Sequence, residues 1–280
     1  MTVLVTGAQG QLGFDVCKEL RRRSVNCVGV DREDFDLADS SAIRQALRTI
    51  KPDFVVHCAA YTAVDRAEDE PQIAKQINTI ATQEIAAHCG ENNIWMIYIS
   101  TDYVFDGGGN APWTVEDIPN PLSVYGVTKL GGELGAYAAC KKLMIVRTSW
   151  VFGQNGSNFV KTMLRLSKSR PTLNVVCDQI GAPTYTVDLA RLLCDMIEKP
   201  VAGIYHAANE GACSWADFAK EIFAQTNAQT LVNPIPSSAY PQKAVRPKNS
   251  RLSLVGLDRA GYQRLPHWRD ALRLFLREME

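Results

Sequence analysis

Between Thr2 and Gly153 the sequence alternates five short apolar runs with four amphipathic helix patterns. The runs are "TVLVTG", "NCVGVD", "DFVVHCAA", "IWMIYIST" and "LMIVRTSWVFG". They are apolar at nearly every position, the pattern of strands buried on both faces. The segments between them carry helical spacing. Leu12, Val16 and Leu20 recur every fourth residue in "QLGFDVCKELRRR", so they share one helix face. "SSAIRQALRTI" repeats the pattern. The run 71–92 opens on Pro71, which suits a first helical turn, and has Gly90 near its end. A further helix is predicted from Tyr125 to about Lys141. Strands that need cover on both faces, joined by crossover helices, predict a Rossmann-type α/β fold with a doubly wound parallel sheet.

After Gly153 the rhythm changes. "NFVKTMLRLSKS", "TVDLARLLCDMIEK" and "SWADFAKEIFAQT" read as helices, the last with Ser214 as N-cap. "GIYHAAN" reads as a short strand, and "HWRDALRLFLREME" closes the chain as an amphipathic helix. The stretch 232–251 is rich in proline and basic residues and reads as irregular. The predicted organisation is a dinucleotide-binding domain over 1–150 and a smaller, discontinuous mixed α/β substrate lobe over 151–280. Segments near 175–209 are expected to return to the first domain.

Composition narrows the function classes. The 280 residues hold 30 Lys+Arg against 30 Asp+Glu, so no basic excess points to nucleic acid or an anionic membrane. No apolar run approaches the roughly 18 residues that span a bilayer, and "MTVLVTGAQG" lacks the basic start of a signal peptide. The eight cysteines form no C-x-x-C, and most sit in apolar runs. Free thiols in a reducing cytoplasm are therefore expected, with no metal site. The four histidines are scattered, without metal-ligand spacing.

The chemistry concentrates at strand ends. "VLVTGAQGQLG" leaves a strand and opens a helix through Gly7, Gly10 and Gly13. Glycines there permit a tight turn, close approach to a pyrophosphate, and helix–strand packing. The spacing is G-x-x-G-x-x-G, a variant of the usual dinucleotide fingerprint. Asp31 ends the second strand, where a carboxylate can accept from ribose hydroxyls and favour NAD. Arg32 follows and can meet a 2′-phosphate, so NADPH and NADH both stay open. Asp36 and Leu37 stand where they can flank the adenine. Thr101 and Asp102 close the fourth strand, at the edge where open α/β sheets bind ligands. In "SVYGVTKL", Tyr125 and Lys129 are four apart, on one helix face. A lysine ammonium beside the phenol is expected to lower the Tyr125 pKa and ready it for proton transfer. In "KAVRPKNSRL", Arg246 and Arg251 are candidates to bind a substrate diphosphate, because a guanidinium fork donates two parallel hydrogen bonds.

Taken in order, "TGAQGQLG", "CAAYTAVDRAE", "STDYVFDG", "YGVTK" and "RTSWVFG" resemble the extended short-chain dehydrogenase/reductase family. The likeness continues through "NFVKTML", "DQIGAPTYTVDLA", "RPKNSRL" and "LPHWRDALRLFL", so it covers essentially the whole chain. It implies reduction of the C4 ketone of dTDP-4-dehydro-6-deoxy-L-mannose to dTDP-L-rhamnose. By this resemblance Gly10, Gln11 and Leu12 lie on the cofactor pyrophosphate, and Asp31, Asp36 and Leu37 surround the adenosine. Ala59, Ala60, Tyr61 and Ile99 line the ribose and nicotinamide side. Thr101, Tyr125 and Lys129 form the catalytic trio, and Trp150 contacts the hexulose. Many relatives carry His where Tyr61 stands, so a backbone contact is the expectation there. Some relatives join subunits through an acid-bound magnesium ion. Asp15 is the only nearby acid the sequence offers, and no metal is expected. A monomer or homodimer is expected. The alternatives are a 4-epimerase or 4,6-dehydratase of another nucleotide sugar, or a non-catalytic NAD(P)-binding regulatory subunit. Tyr103 after Asp102, where dehydratases place a glutamate, favours simple reduction.

Overall fold

The computed structural model describes residues 1–279. In chain order the first layer comprises β1 (Thr2–Thr6), α1 (Gln11–Arg22), β2 (Asn26–Val30), α2 (Ser40–Ile50), β3 (Phe54–His57) and α3 (Val64–Ala67). It continues with α4 (Pro71–Lys75), a π-helical turn (Gln76–Ile80), α5 (Ala81–Glu91), β4 (Trp95–Thr101), α6 (Val124–Ala139) and β5 (Leu143–Thr148). The remaining elements are β6 (Val151–Phe152), α7 (Phe159–Ser167), β7 (Thr172–Val176), β8 (Ile180–Gly181), β9 (Thr184–Tyr185), α8 (Thr186–Glu198) and β10 (Gly203–His206). After them come β11 (Asn209–Glu210), β12 (Cys213–Ser214), α9 (Trp215–Gln225), β13 (Leu231–Ile235), β14 (Asn249–Ser250), α10 (Val255–Ala260), β15 (Leu265–His267) and α11 (Trp268–Glu278).

Six parallel strands form the main sheet in the order β10-β5-β4-β3-β1-β2. Both faces are covered, as the unbroken apolar runs require. On one face Val3, Val5, Val56 and Val146 pack with Val16 and Leu20 of α1 and Leu189 and Leu193 of α8. On the other, Leu4, Val55, Met96 and Tyr98 meet Ile43, Leu47, Ile85 and Ala136 of α2, α5 and α6. Each such fully buried aliphatic side chain contributes roughly 1.5–3 kcal/mol. Strand order reverses between β1 and β3, which opens a crevice at their carboxyl ends.

A smaller body packs Phe152, Tyr185, Phe218, Trp268 and Phe275 into its own core. Within 175–209 the chain divides its loyalties. β8 pairs with β12 and β14, and β9 pairs with β6, whereas α8 packs on α1 and β10 joins β5 in the main sheet. The stretch expected to be irregular after residue 232 holds a strand: β13 runs parallel to β7, from Leu231 opposite Thr172 to Ile235 opposite Val176. Pro234 inside it removes a donor and hides the strand pattern, which a two-stranded edge tolerates. All eight cysteines are unpaired, and Cys177 is exposed.

The helix predicted over 71–92 is continuous but widens at Gln76–Ile80 into the π turn. Such turns carry an extra residue per hydrogen bond and concentrate at functional sites. Here the turn holds Asn78, which is buried.

Candidate active site

The glycine turn is fixed by packing. Gly7 has a φ of 67°, and a Cβ there would stand 2.9 Å from the Ala59 backbone. A Cβ on Gly13 would stand 2.1 Å from the Gly7 carbonyl oxygen, so any side chain would push α1 off β1. The Gly10 amide donates to the Gly7 carbonyl at 2.9 Å. Gly10 caps α1 with no side-chain acceptor, so first-turn N–H groups remain for an anion.

Two adjoining cavities open from this turn. One, of about 580 Å³, is lined by Asp31, Arg32, Asp36, Leu37 and Tyr61. The other, of about 660 Å³, is lined by Gly10, Gln11, Leu12, Gly13, Ile99 and the side chains described below. Gly7, Asp31, Ala59 and Ala60 border both. An extended dinucleotide fits this layout: adenosine in the first cavity, pyrophosphate over the uncapped helix, nicotinamide toward β4. Asp31 accepts from the Gln9 amide at 2.9 Å and the Arg32 amide at 2.8 Å. The carboxylate thus braces the turn while Arg32 and Arg66 line the same cavity, a setting open to either nicotinamide cofactor. The Tyr61 phenol donates to Glu70 at 2.5 Å.

Thr101, Asp102, Tyr125 and Lys129 converge on the larger cavity, together with Trp150. Ser123 caps α6 by accepting from the Gly126 amide at 3.1 Å, and the helix then presents Tyr125 and Lys129 on one face. Lys129 donates to the Ile99 carbonyl at 2.7 Å and lies 4.1 Å from the Tyr98 ring centre. Burial pulls its pKa down to about 7, against the opposing charge of Glu133 one turn on. The tuning of Tyr125 differs in sign from the sequence expectation. Burial pushes the phenol above its usual value, and the nearby Thr101 hydroxyl pulls it back only in part. The lysine ammonium is turned to the Ile99 carbonyl and the Tyr98 ring, and desolvation sets the direction of the shift. Asp102 is likewise raised by burial, to about 6. It accepts from the Thr101 hydroxyl at 3.1 Å. The Ser250 hydroxyl is close enough to oppose the shift but does not meet its second oxygen in hydrogen-bonding geometry.

Tyr103 and Trp150 separate the larger cavity from a third, of about 290 Å³, which Trp215, Tyr240, Gln179 and Arg246 also line. Trp150 has a φ of 49°, rare for a bulky residue. It is clamped between Gly181, where a Cβ would stand 2.6 Å from its ring, and Trp215, stacked 3.6 Å between centres. Of the two candidate arginines Arg246 lines this third cavity and Arg251 lines none of the three. Arg251 turns to Asn249, donating to its side-chain oxygen at 2.8 Å.

Several residues escaped the sequence reading. Asn78 accepts from the Tyr61 amide at 2.8 Å and donates to the Thr128 hydroxyl at 3.1 Å, tying the cofactor wall to α6. Beneath the site, Glu133 and Arg147 form an ion pair at 2.6 Å with side chains 3% and 2% exposed. The Ser100 hydroxyl donates to Glu133 at 2.5 Å. An arginine inside the apolar run "LMIVRTSWVFG" was the available signal, since a buried charge needs a partner. Asp15 accepts from the Thr186 hydroxyl at 2.5 Å. Burial raises its pKa, with a further push from Glu278, an acid distant in sequence. Among the described residues no group of three or more His, Cys, Asp or Glu could hold a metal.

The chain matches the RmlD substrate binding domain family across residues 1–280. It is 40% identical to the dTDP-4-dehydrorhamnose reductase of Salmonella typhimurium, over 100% of this chain and 98% of that one. Its fold superposes with a TM-score of 0.97 on a dTDP-4-dehydrorhamnose reductase from Clostridium acetobutylicum, at 40% identity, covering 100% of this chain and 99% of that one. The TM-score is 0.96, at 38% identity with 100% and 99% covered, for the Bacillus anthracis dTDP-4-dehydrorhamnose reductase in complex with NADP.

Proposed function

The chain belongs to the RmlD substrate binding domain family, and from that membership and its site geometry we propose that it reduces the C4 ketone of dTDP-4-dehydro-6-deoxy-L-mannose to dTDP-L-rhamnose with NADPH or NADH. The observation that carries the reading is the meeting of Thr101, Tyr125 and Lys129 in one cavity with the glycine turn. The nicotinamide, when bound, supplies the hydride. The protein's part is to hold the ketone and deliver a proton to its oxygen. Tyr125 donates that proton. A phenol with a raised pKa stays protonated at neutral pH, and an alkoxide is a stronger base than a phenolate, so transfer runs downhill. The single Thr101 O–H, given to Asp102 in the free site, turns to the same oxygen when the ketone binds and steadies the developing charge. Lys129 spends one N–H on the Ile99 carbonyl, leaving two for a ribose hydroxyl and the phenol. The third cavity takes the nucleotide half, with Arg246 on the diphosphate.

The test is cofactor stoichiometry with freshly generated dTDP-4-dehydrorhamnose. One NADPH or NADH should be oxidised per sugar reduced. Conversion of the sugar without net oxidation would overturn the reading in favour of an epimerase or dehydratase.

Two variants probe the roles. Lys129→Met should weaken cofactor binding and abolish the alkaline fall of kcat/KM. The ammonium is present below about pH 7 and is lost as pH rises through it, so wild-type activity should decline across that range. An identical profile in the variant would remove Lys129 from the mechanism. Arg246→Met should raise KM for the sugar nucleotide by about ten- to a hundredfold, the worth of a charge-assisted hydrogen bond. KM for NADPH should not move.

We further infer a cytoplasmic monomer or homodimer that engages neither nucleic acid nor membrane. In support, acids and bases balance at 30 each. Among the described residues no helix is long and apolar enough to cross a membrane.

A further inference from the structure

The segment "DRAEDE", Asp65 to Glu70, carries four acids in six residues. A run of this kind is ordinarily a solvated face. Here each acid has a partner outside the segment. Glu70 accepts from Tyr61 at 2.5 Å on the cofactor side. Glu68 accepts from the Val124 amide at 2.9 Å, at the first residue of α6. Asp69 pairs with Lys243. Asp65 holds the loop that follows Lys243 twice: its Oδ1 accepts from the Ala244 amide at 3.0 Å, and its Oδ2 from Arg246 Nη2 at 2.5 Å.

Arg246 is fixed from a second side. Its Nη1 donates to the Tyr103 hydroxyl at 3.2 Å. The Tyr103 ring meets Tyr125 edge to face, 5.4 Å between centres. The guanidinium is therefore held in register with the catalytic ring through a single intervening residue. Two of its five N–H groups are engaged, and among the described residues three remain for an anion. Arg246 lines the third cavity and Asp65 does not, so the guanidinium is the member of the pair that faces a ligand there.

We propose that Asp65 is the positioning residue for the sugar nucleotide's diphosphate, holding Arg246 and its loop at the junction of the two substrate cavities before substrate arrives. The proposal rests on the assignment of Arg246 to the diphosphate. An untethered arginine must be ordered by the ligand, and that ordering weakens binding without touching the chemical step.

The experiment compares Asp65→Asn, Asp65→Glu, Arg246→Met and the Asp65→Asn/Arg246→Met double variant. The readouts are KM for the sugar nucleotide, inhibition by dTDP, kcat and KM for NADPH. Asp65→Asn should raise the sugar-nucleotide KM and the dTDP inhibition constant together, by about three- to tenfold. Its kcat and KM for NADPH should hold. Asp65→Glu should recover part of the loss, and the double variant should be no worse than Arg246→Met alone. A raised KM in Arg246→Met with no change in Asp65→Asn overturns the positioning role alone. An unchanged KM in Arg246→Met overturns the diphosphate assignment beneath it. Equal losses from Asp65→Asn with and without Arg246 show that Asp65 acts by another route, and overturn the proposal.

Discussion

Tyr125→Phe is expected to keep the fold and the cofactor affinity and to lose about 10²–10⁴ of kcat. The ring stays, and with it the edge contact to Tyr103 at 5.4 Å and the packing of α6. Only the hydroxyl goes. Its removal takes away the proposed proton donor, a phenol that burial keeps protonated at neutral pH. The Thr101 hydroxyl remains, so some stabilisation of the oxyanion survives and activity should not fall to zero. Cofactor titration by fluorescence and circular dichroism establish that the variant is folded and loaded. Single-turnover reduction then isolates the chemical step. Near-normal turnover would exclude Tyr125 as the donor.

The parts of this site that sequence made visible are those set by backbone sterics or local spacing. Gly7 and Gly13 are dictated by neighbours only 2.9 and 2.1 Å from any added Cβ. The Tyr125–Lys129 pair is a property of one helix face. The direction of tuning was not visible, because it depends on how far tertiary packing strips water from both groups. Nor did spacing separate Arg246 from Arg251. Asp65 and Tyr103 draw the first to a cavity, while Asn249 holds the second away. Asn78 was hidden for a different reason: a π turn leaves the apolar pattern of a long helix nearly intact. Pro234 concealed β13 because its missing donor is tolerable only on an edge, and edges are decided by the fold.

Glu133→Leu is expected to cost about 3–5 kcal/mol of stability, because it strands a charge in the core. Arg147 stands on a central strand with 2% of its side chain exposed, and Glu133 is its ionic partner. Three hydrogen bonds run from the guanidinium to that carboxylate, at 2.9, 3.2 and 2.6 Å. Its Nη1 already lacks a hydrogen-bond partner among the described residues. The Phe105 ring, 5.1 Å away, compensates only weakly. His206 offers no relief: burial, with the Arg147 charge adding to it, pulls the imidazole pKa down to about 3, so it stays neutral. Urea denaturation at neutral pH should show a lower midpoint with an unchanged slope. The Glu133→Leu/Arg147→Met double variant should recover most of the loss, since apolar replacement of a whole buried pair is often near neutral. The pair also reaches the chemistry. Glu133 is the opposing charge that keeps the Lys129 pKa from falling further. Without it the ammonium is lost at a lower pH, so the alkaline fall of kcat/KM should move to more acidic values. In the double variant the fold recovers and that displaced limb stays. A double variant with a wild-type pH profile would confine the pair to a structural role.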